Sequence, residues 1–214
     1  DIPDSAKRTT TRRNARVDWN VKDFGAIGDG ETDDSAAIQS AIDAATADTT
    51  LYFPKGTYRI WNVLIDGKAG LSLRGPSAKL KLIDAPGPKP MIRIGSQAPC
   101  ERLSLFLGEI DGNNFAGGAS CEPVRVEAVR DFKFSGYVHH TWGHGLSFTT
   151  IPSSKVHIDL RANHIGIGHN ADPAFTAFDG PNGCAIYFAA SAAPVDTYIR
   201  IRGSDCKGAA FVYI

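Results

Sequence analysis

Short strands of alternating apolar and polar residues recur about once every 24 or 25 residues, and this pattern predicts an all-β solenoid, a parallel β-helix. Phe132 and Val156 lie 24 residues apart, and Gly183 and Gly208 lie 25 apart. Coils of such a solenoid stack about 4.8 Å from one another, so their inward residues form ladders. The predicted core ladders are Leu103, Leu105, Val124, Val126, Phe132, Phe134, Val156, Ile158, Ile199 and Ile201.

Three segments share the pattern Gly-x-x-apolar-x-aromatic and are predicted to stack: GHGLSF from Gly143, GCAIYF from Gly183 and GAAFVY from Gly208. The interval from Gly143 to Gly183 is 40 residues, whereas that from Gly183 to Gly208 is 25. The first interval therefore contains about 15 additional residues, enough for one loop. We place the excess at residues 169–182, as an inserted loop of the kind that often forms a binding face.

Residues 20–43, NVKDFGAIGDGETDDSAAIQSAID, predict a strand, a Gly/Asp-rich turn and a helix. A phosphate-binding loop is disfavoured because no Lys follows the glycines and the nearby carboxylates would repel a phosphate. The spacing does not match an EF-hand calcium loop. Asp33 or Asp34 is a suitable N-cap, and small apolar residues at helical spacing give the helix one flat apolar face.

Together with LYFPKGTYRI, this segment resembles the N-terminal part of the pectate-lyase-like, right-handed parallel β-helix superfamily. The similar members are polygalacturonase-related proteins, alginate epimerases and bacteriophage tailspikes. The resemblance covers residues 20–60. It implies a right-handed solenoid capped at its N-terminal end by the helix, with the coils over residues 61–214.

The composition disfavours two classes of partner. The formal net charge of the 214 residues is +0, so no global basic field attracts nucleic acid, and no apolar run is long enough for a membrane helix. Residues 1–19 are basic and polar, which favours a flexible linker; a basic arm for an anionic partner is the alternative. The last strand stops abruptly, which predicts either a truncated C-terminal end or a face covered by another chain.

Cys100 and Cys121 begin two similar segments, CERLSL and CEPVRV, and are interpreted as equivalent positions on neighbouring coils. At that spacing they would form either a disulfide or two stacked thiols. Cys184 and Cys206 are out of register for a bridge. No C-x-x-C spacing is present, so a zinc site is not expected, and no cofactor is predicted.

All six histidines lie between His139 and His169. A coil of 24 residues places His140 beside His164. Three interpretations are open: structural packing in turns, a His-rich metal site, or a sugar groove in which rings stack on pyranose faces and histidines bind hydroxyls or transfer protons. The predicted substrate-binding residues of the groove are His139, Trp142, His164, His169 and Asp172.

Two motifs suggest catalytic residues. Gly-His-Gly at residues 143–145 is similar to polygalacturonases, which implies a glycosidase role for His144, although the family's Asp pair is absent from the preceding coils. Ser-Gly-Tyr at residues 135–137 is similar to alginate epimerases and related lyases, which implies Tyr137 as acid/base with His140 as its partner, although the family's Asp-Pro-His does not follow. The opposed carboxylates of a hydrolase would be Asp179 and Asp205.

The resemblance implies a protein that binds and cleaves an extracellular polysaccharide as a phage tailspike-type depolymerase. Such a protein is expected to be a homotrimer outside the cell or on the virion. The alternatives are a secreted bacterial polysaccharide lyase, hydrolase or epimerase, and a non-catalytic carbohydrate-binding or structural spike. The fold alone does not choose among them.

Overall fold

The computed structural model describes residues 17–83, 89–113, 122–141, 143–149, 155–165, 185–189, 196–206 and 211–213. These residues form parallel β-sheets and one α-helix. Among them, the helix is too short and too polar to traverse a bilayer.

A short 3₁₀ helix, Val21–Phe24, and the α-helix α1, Ser35–Ala44, lie between the first strands in chain order. The strands are numbered along the chain. Their bounds are β1 Val17–Asn20, β2 Asp29–Asp33, β3 Thr49–Tyr52, β4 Gly56–Ile60, β5 Val63–Ile65, β6 Ser72–Leu82, β7 Ile92–Ile94, β8 Cys100–Asp111, β9 Val124–Val126, β10 Val129–Thr141, β11 Leu146–Phe148, β12 Lys155–Ile165, β13 Ile186–Phe188, β14 Asp196–Cys206 and β15 Phe211–Tyr213.

Two sheets make up the solenoid. The larger has the order β1, β3, β6, β8, β10, β12, β14, with β4 beside β6 and β2 beside β4; the smaller has the order β5, β7, β9, β11, β13, β15. From β5 onward, the chain passes alternately through a three-residue strand of the smaller sheet and a long strand of the larger one. Because the described strands pair in parallel, this path is consistent with the predicted parallel β-helix.

Inward side chains form the predicted ladders. Phe132 pairs with Leu103 on one neighbouring coil and with Val156 on the other. The predicted core residues are buried, except that Ile199 and Ile201 are only partly buried against the core. Burial of such apolar surface, at roughly 25 cal/mol per Å², is the main favourable term for the fold.

The stacking of the three Gly-containing segments is also confirmed. Leu146 pairs with Ile186, and Ile186 pairs with Phe211. The rings of Phe148 and Phe188 stack with their centroids 4.4 Å apart. The apolar and aromatic positions of this repeat therefore follow the smaller sheet from coil to coil.

The predicted equivalence of Cys100 and Cys121 is wrong. Cys100 begins β8 in the larger sheet and pairs with Val129, whereas the segment after Cys121 forms β9 in the smaller sheet. The two similar segments therefore lie on different faces of the solenoid. Cys100 is a buried free thiol, 3.3 Å from the carbonyl oxygen of Ile65, and burial raises the pKa of that thiol. Cys121 itself lies outside the described residues.

The chain bends at residues with left-handed backbone angles where it enters the larger sheet. Asp48, Arg102 and Asp131 have φ angles of 59°, 54° and 59°, and Gly70 has 72°. Neighbouring pairs place Asp131 opposite Arg102. A Cβ atom at Gly70 would lie 2.1 Å from Oδ1 of Asp48, so only glycine fits there without a shift of Asp48. The same bend therefore recurs where successive coils enter the larger sheet.

The predicted N-cap of α1 makes a different contact. Asp34 forms no side-chain cap hydrogen bond; its buried carboxylate accepts hydrogen bonds from the N–H groups of Ile27, at 2.6 Å, and Gly28, at 3.1 Å. Gly28 has a φ of 70°, and a Cβ atom there would lie 2.7 Å from the ring of Tyr58. The Gly/Asp-rich turn therefore fixes the chain against the helix.

Gln39 joins α1 to the edge of the smaller sheet. Strand β5 is the terminal strand of that sheet. The Gln39 amide accepts a hydrogen bond from the N–H of Leu64 at 2.8 Å and donates one to its carbonyl at 3.0 Å. It thus satisfies backbone groups that a further strand would otherwise pair. The buried residues of α1 are Ile38, Ala41 and Ile42, which lie on the predicted apolar face.

Some predicted boundaries fall at the limits of the described residues. Strand β1 begins at Val17 and pairs with β3, inside the segment predicted as a linker. Residues 1–16 and the predicted insertion at 169–182 lie outside the described residues. The connection from Ile165 to Ile186 is longer than that from Thr141 to Leu146 in the coil before, so the extra chain length falls between β12 and β13.

Replacing Gln39 by Ala should destabilise the protein by about 1–3 kcal/mol, because Leu64 would keep two partly buried backbone groups without their partner. Urea unfolding followed by circular dichroism measures this change. The matched control is Gln97→Ala, whose side chain is exposed. Equal unfolding midpoints for the two variants would contradict the role given to Gln39.

Candidate active site

One row of outward side chains crosses five neighbouring coils of the larger sheet. The backbone register pairs successive members of the row. Because neighbouring strands lie about 4.8 Å apart, adjacent members of the row are within reach of one another. The row consists of Lys79, Glu109, Tyr137, Arg161 and Arg202.

The last three members of this row line a groove of ≈370 Å³, together with Asn163 and Gly203. The guanidinium carbon of Arg161 lies 5.7 Å from the centroid of the Tyr137 ring. Nη2 of Arg202 lies 3.1 Å from a carboxylate oxygen of Asp159. The groove thus presents two guanidinium groups and one phenol to solvent, a combination that suits an anionic sugar.

Beside the groove, Lys79 joins two carboxylates. Its Nζ lies 2.7 Å from Oε1 of Glu109 and 2.7 Å from Oδ2 of Asp111. Burial acts to raise the pKa of both carboxyl groups, but the hydrogen bonds and charge of Lys79 outweigh it, and the pKa of each lies below its ordinary value. The same pair raises the pKa of Lys79 against the opposing effect of burial. All three groups are therefore charged at neutral pH.

His139 connects this ionic cluster to Tyr137. The His139 side chain is buried, its Nε2 lies 2.8 Å from Oε1 of Glu109, and its ring stacks on the Tyr137 ring at 4.7 Å between centroids. An ionised carboxylate only accepts hydrogen bonds, so Nε2 of His139 carries the hydrogen that Glu109 accepts. In neutral His139 the other ring nitrogen, Nδ1, is then an acceptor.

His140 is the more accessible histidine, with 41% of its side chain exposed. Its Nδ1 is in hydrogen-bond contact with Nδ1 of His139, so in the neutral pair His140 donates that hydrogen bond. Nε2 of His140 then carries the lone pair. His140 has a left-handed backbone, with a φ of 51°. The arrangement places the partly exposed imidazole of His140 three residues from Tyr137 on the same strand.

Within the described part of the chain, Asp111, His139 and His140 are a possible metal-binding group, with one ligand atom from each within 4.8 Å of the others. A carboxylate and two imidazoles are a donor set that suits zinc and other transition metals. However, the Lys79 ammonium already binds Asp111, and a fixed positive charge at that position opposes a second cation. The donor atoms are therefore of a suitable type, but the Lys79 ammonium makes this group of residues a poor metal site.

The structure brings together Tyr137, His139 and His140 among the predicted site residues. His144 instead lies before β11, where its ring stacks on Tyr187 at 4.4 Å. The backbone pairs on either side place His140 opposite His164, and His164 opposite Asp205, as the 24-residue spacing predicted for the two histidines. The side chains of His164 and Asp205 are not described, and Trp142, His169, Asp172 and Asp179 lie outside the described residues.

Sequence reasoning missed five charged residues of this site. One signal was available for Arg161, which follows Tyr137 by the same 24 residues that separate Phe132 from Val156. Arg202 lies 41 residues beyond Arg161, so this spacing does not find it. For the upstream members, irregularities in pairing at Ser135/Tyr137 and Gly75/Lys79 shift the register, so a constant spacing does not find them. The missed residues are Lys79, Glu109, Asp111, Arg161 and Arg202.

Comparison with known proteins agrees with the parallel coils. Residues 19–87 match the family Rhamnogalacturonase A/epimerase, pectate lyase-like. Mannuronan C5-epimerase AlgE4 of Azotobacter vinelandii is 61% identical over 150 residues, which cover 56% of this chain and 27% of that protein. The chain thus spans well under two thirds of the curated relatives it matches.

Two solved structures have a similar fold. The A-module of Azotobacter vinelandii mannuronan C-5 epimerase AlgE4 matches with a TM-score of 0.53 and 25% identity, over 83% of this chain and 50% of that one. ORF18 of Geobacillus virus E2 matches with a TM-score of 0.54 and 21% identity, over 87% of this chain and 37% of that one. The second likeness concerns the fold alone.

Replacing Lys79 by Met should lower the unfolding midpoint in urea at neutral pH, because Glu109 and Asp111 would lose the ammonium between them. Carboxylates with a lowered folded pKa stabilise the fold above their ordinary values, near pH 4, and lose that contribution as pH falls through the lower folded values. The difference between variant and wild type should therefore shrink towards about pH 3. Lys81→Met, on the same strand, is the control. A difference that is constant with pH would contradict the assigned ion pairs.

Proposed function

We propose that this chain, whose residues 19–87 match a pectate-lyase-like family, binds an anionic polysaccharide built from uronate sugars and removes the proton at C5 of a bound unit. The observation that carries this proposal is the groove in which Arg161 and Arg202 stand in register with Tyr137, beside His139 and His140.

The groove supports an acidic sugar in preference to a neutral one. Guanidinium groups bind carboxylates through paired, charge-assisted hydrogen bonds. Arg161 and Arg202 occupy successive coils, and the chain as a whole has a formal net charge of +0. Arg202 shares its charge with Asp159, and Arg161 adds a second positive charge to the groove.

The ionisation of the nearby acids favours C5 chemistry over hydrolysis. A glycoside hydrolase needs one protonated carboxylic acid to donate to the leaving oxygen, which requires a raised pKa. Glu109 and Asp111 have lowered pKa values because Lys79 lies between them. Neither can be that acid at neutral pH, whereas abstraction of the C5 proton needs a base and a group that stabilises the resulting negative charge.

The proposed reaction assigns a role to each side chain. The neutral imidazole of His140 takes the C5 proton, the electron pair of the C–H bond delocalises into the sugar carboxylate, and the phenol of Tyr137 faces the opposite side of the sugar. Arg161 and Arg202 stabilise that charge. In epimerisation the other acid/base residue returns a proton to the opposite face of C5. His139, held by Glu109, positions His140 for this transfer.

The same carbanion allows β-elimination. In that reaction the C4–O4 bond breaks, a C4=C5 double bond forms, and the acid/base residue protonates the departing oxygen of the neighbouring sugar. Epimerase and lyase therefore share the first step and differ in the fate of the electron pair. The name of the relative, a mannuronan C5-epimerase, supports epimerisation as the first activity to assay.

A tailspike-type depolymerase is the second candidate; a protein of Geobacillus virus E2 shares the fold, which is compatible with this role without selecting it. On this proposal the protein is a homotrimer, extracellular or on the virion, and cleaves its polysaccharide. Cleavage by hydrolysis would use Asp179 and Asp205 as opposed carboxylates. Molar mass from light scattering discriminates the candidates, since a trimer favours the spike and a monomer favours a free-standing enzyme. A non-catalytic spike would bind sugar without turnover.

We further propose that α1 closes the N-terminal end of the solenoid. The support is that Ile38, Ala41 and Ile42 are buried and that Gln39 pairs with β5, the terminal strand of the smaller sheet. A cap of this kind keeps water and other chains from the first coil.

Tyr137→Phe should reduce turnover of polymannuronate by about 100-fold or more, because the variant keeps the ring and loses the proton that it transfers. Incubation in ²H₂O followed by mass spectrometry measures this, since each C5 proton replaced from solvent adds one deuterium. Products with a new double bond would identify the lyase outcome through their ultraviolet absorption.

The control is Tyr52→Phe, an exposed tyrosine on β3, which should keep wild-type turnover. Polymer that gains a molecule of water per cleavage, with no deuterium at C5, would contradict the proposal and favour the hydrolase.

A further inference from the structure

A second groove lies on the larger sheet, nearer to the start of its long strands. It has a volume of ≈490 Å³. Its centre is a row in register, formed by Lys133, His157 and Tyr198 on three successive coils. Lys133 and Tyr137 are four residues apart on β10, so the two grooves are separated by about 13 Å along the strands.

The floor of this groove is an exposed aromatic pair. The rings of His157 and Tyr198 stack with centroids 4.6 Å apart and an angle of 27° between their planes. Tyr198 is 53% exposed, more than the other large hydrophobic residues of the described chain. A flat ring held by a stacked neighbour, with its outer face in solvent, suits contact with the apolar face of a pyranose.

Charged side chains surround the aromatic pair. Lys133 and Lys155 are exposed on the walls, and Asp131 and Asp196 lie beside them. Arg102, also on the wall, forms a salt bridge with Asp48. The two ammonium groups can bind sugar carboxylates, and the two carboxylates can accept hydrogen bonds from sugar hydroxyls.

We propose that this second groove, defined by Lys133, Lys155, His157 and Tyr198, is a non-catalytic binding site for a further segment of the acidic polysaccharide. Tyr198 stacks on a sugar ring, and the two lysines bind its carboxylate and that of a neighbouring unit. The inference rests on the proposed function only for the kind of polymer. Holding a distant segment raises the local concentration of chain at the Tyr137 groove.

A second copy of this chain is a less suitable occupant. In a two-fold symmetric contact the same patch meets itself, so the charged side chains of Lys133, Lys155, Asp131 and Asp196 from both copies would lose their water together, which is costly. An acidic polymer instead meets the lysines with complementary charge. An acidic polysaccharide therefore suits this groove better than a second copy of the chain.

The test measures binding by titration calorimetry in the Tyr137→Phe background, where turnover does not interfere. The probes are long polymannuronate and a mannuronate trisaccharide. Tyr198→Ala should weaken binding of the long polymer about 5-fold, a size typical of one lost aromatic contact. Lys133→Met should weaken it similarly and reduce its dependence on salt. Tyr198→Phe should restore the affinity, and Ile27→Ala, an exposed apolar residue elsewhere, should leave it unchanged.

The outcomes separate this inference from the proposed function. If the Tyr198→Ala variant binds the polymer as tightly as the protein with Tyr198, the second site is overturned and C5 chemistry is unaffected. The same holds if the Tyr198→Ala protein has a different molar mass by light scattering, because Tyr198 would then lie in a contact between copies. Conversely, wild-type protein that binds the polymer through Tyr198 but exchanges no deuterium would overturn the proposed reaction and keep the second site.

Discussion

Parallel hydrogen bonding between coils holds the paired residues of the described strands about 4.8 Å apart, and the core and the candidate site depend on that register. Inward, it stacks Leu103, Phe132 and Val156 into a continuous core. Outward, it aligns Tyr137 with Arg161. The same constraint leaves the first strands with unpaired backbone groups, which explains why a glutamine side chain from α1 is bonded to β5.

The chemistry of the site depends on how charge is distributed along the outward rows. Glu109 and Asp111 are both bound to Lys79, whose ammonium compensates one of their two negative charges. On the next coil, Nε2 of His139 donates a hydrogen bond to Glu109. This bond determines which ring nitrogen of His139 carries hydrogen, so that Nδ1 of neutral His139 accepts from His140. Beyond Tyr137 lie the guanidinium groups of Arg161 and Arg202, of which Arg202 is paired with Asp159. A polymer lying across the coils would therefore meet acid/base groups beside guanidinium groups.

The sequence allowed the fold and part of the site to be predicted. Alternation and spacing identified the ladders because side chains in a strand alternate strictly between faces, and the density of histidines pointed to His139 and His140. Lys79 and Glu109 escaped notice because pairing irregularities break the constant spacing. Cys100 and Cys121 were wrongly equated, since six similar letters do not reveal to which sheet a strand belongs. The role of Gln39 depends on a tertiary contact 25 residues away in sequence, which no local pattern encodes.

The most direct test of this account is a crystal structure of the Tyr137→Phe variant with a bound mannuronate oligomer. The account predicts a sugar carboxylate between Arg161 and Arg202, with C5 of that unit facing residue 137 and His140. An oligomer that binds elsewhere on the solenoid, or that lies in the groove with its carboxylate directed away from both arginines, would contradict it.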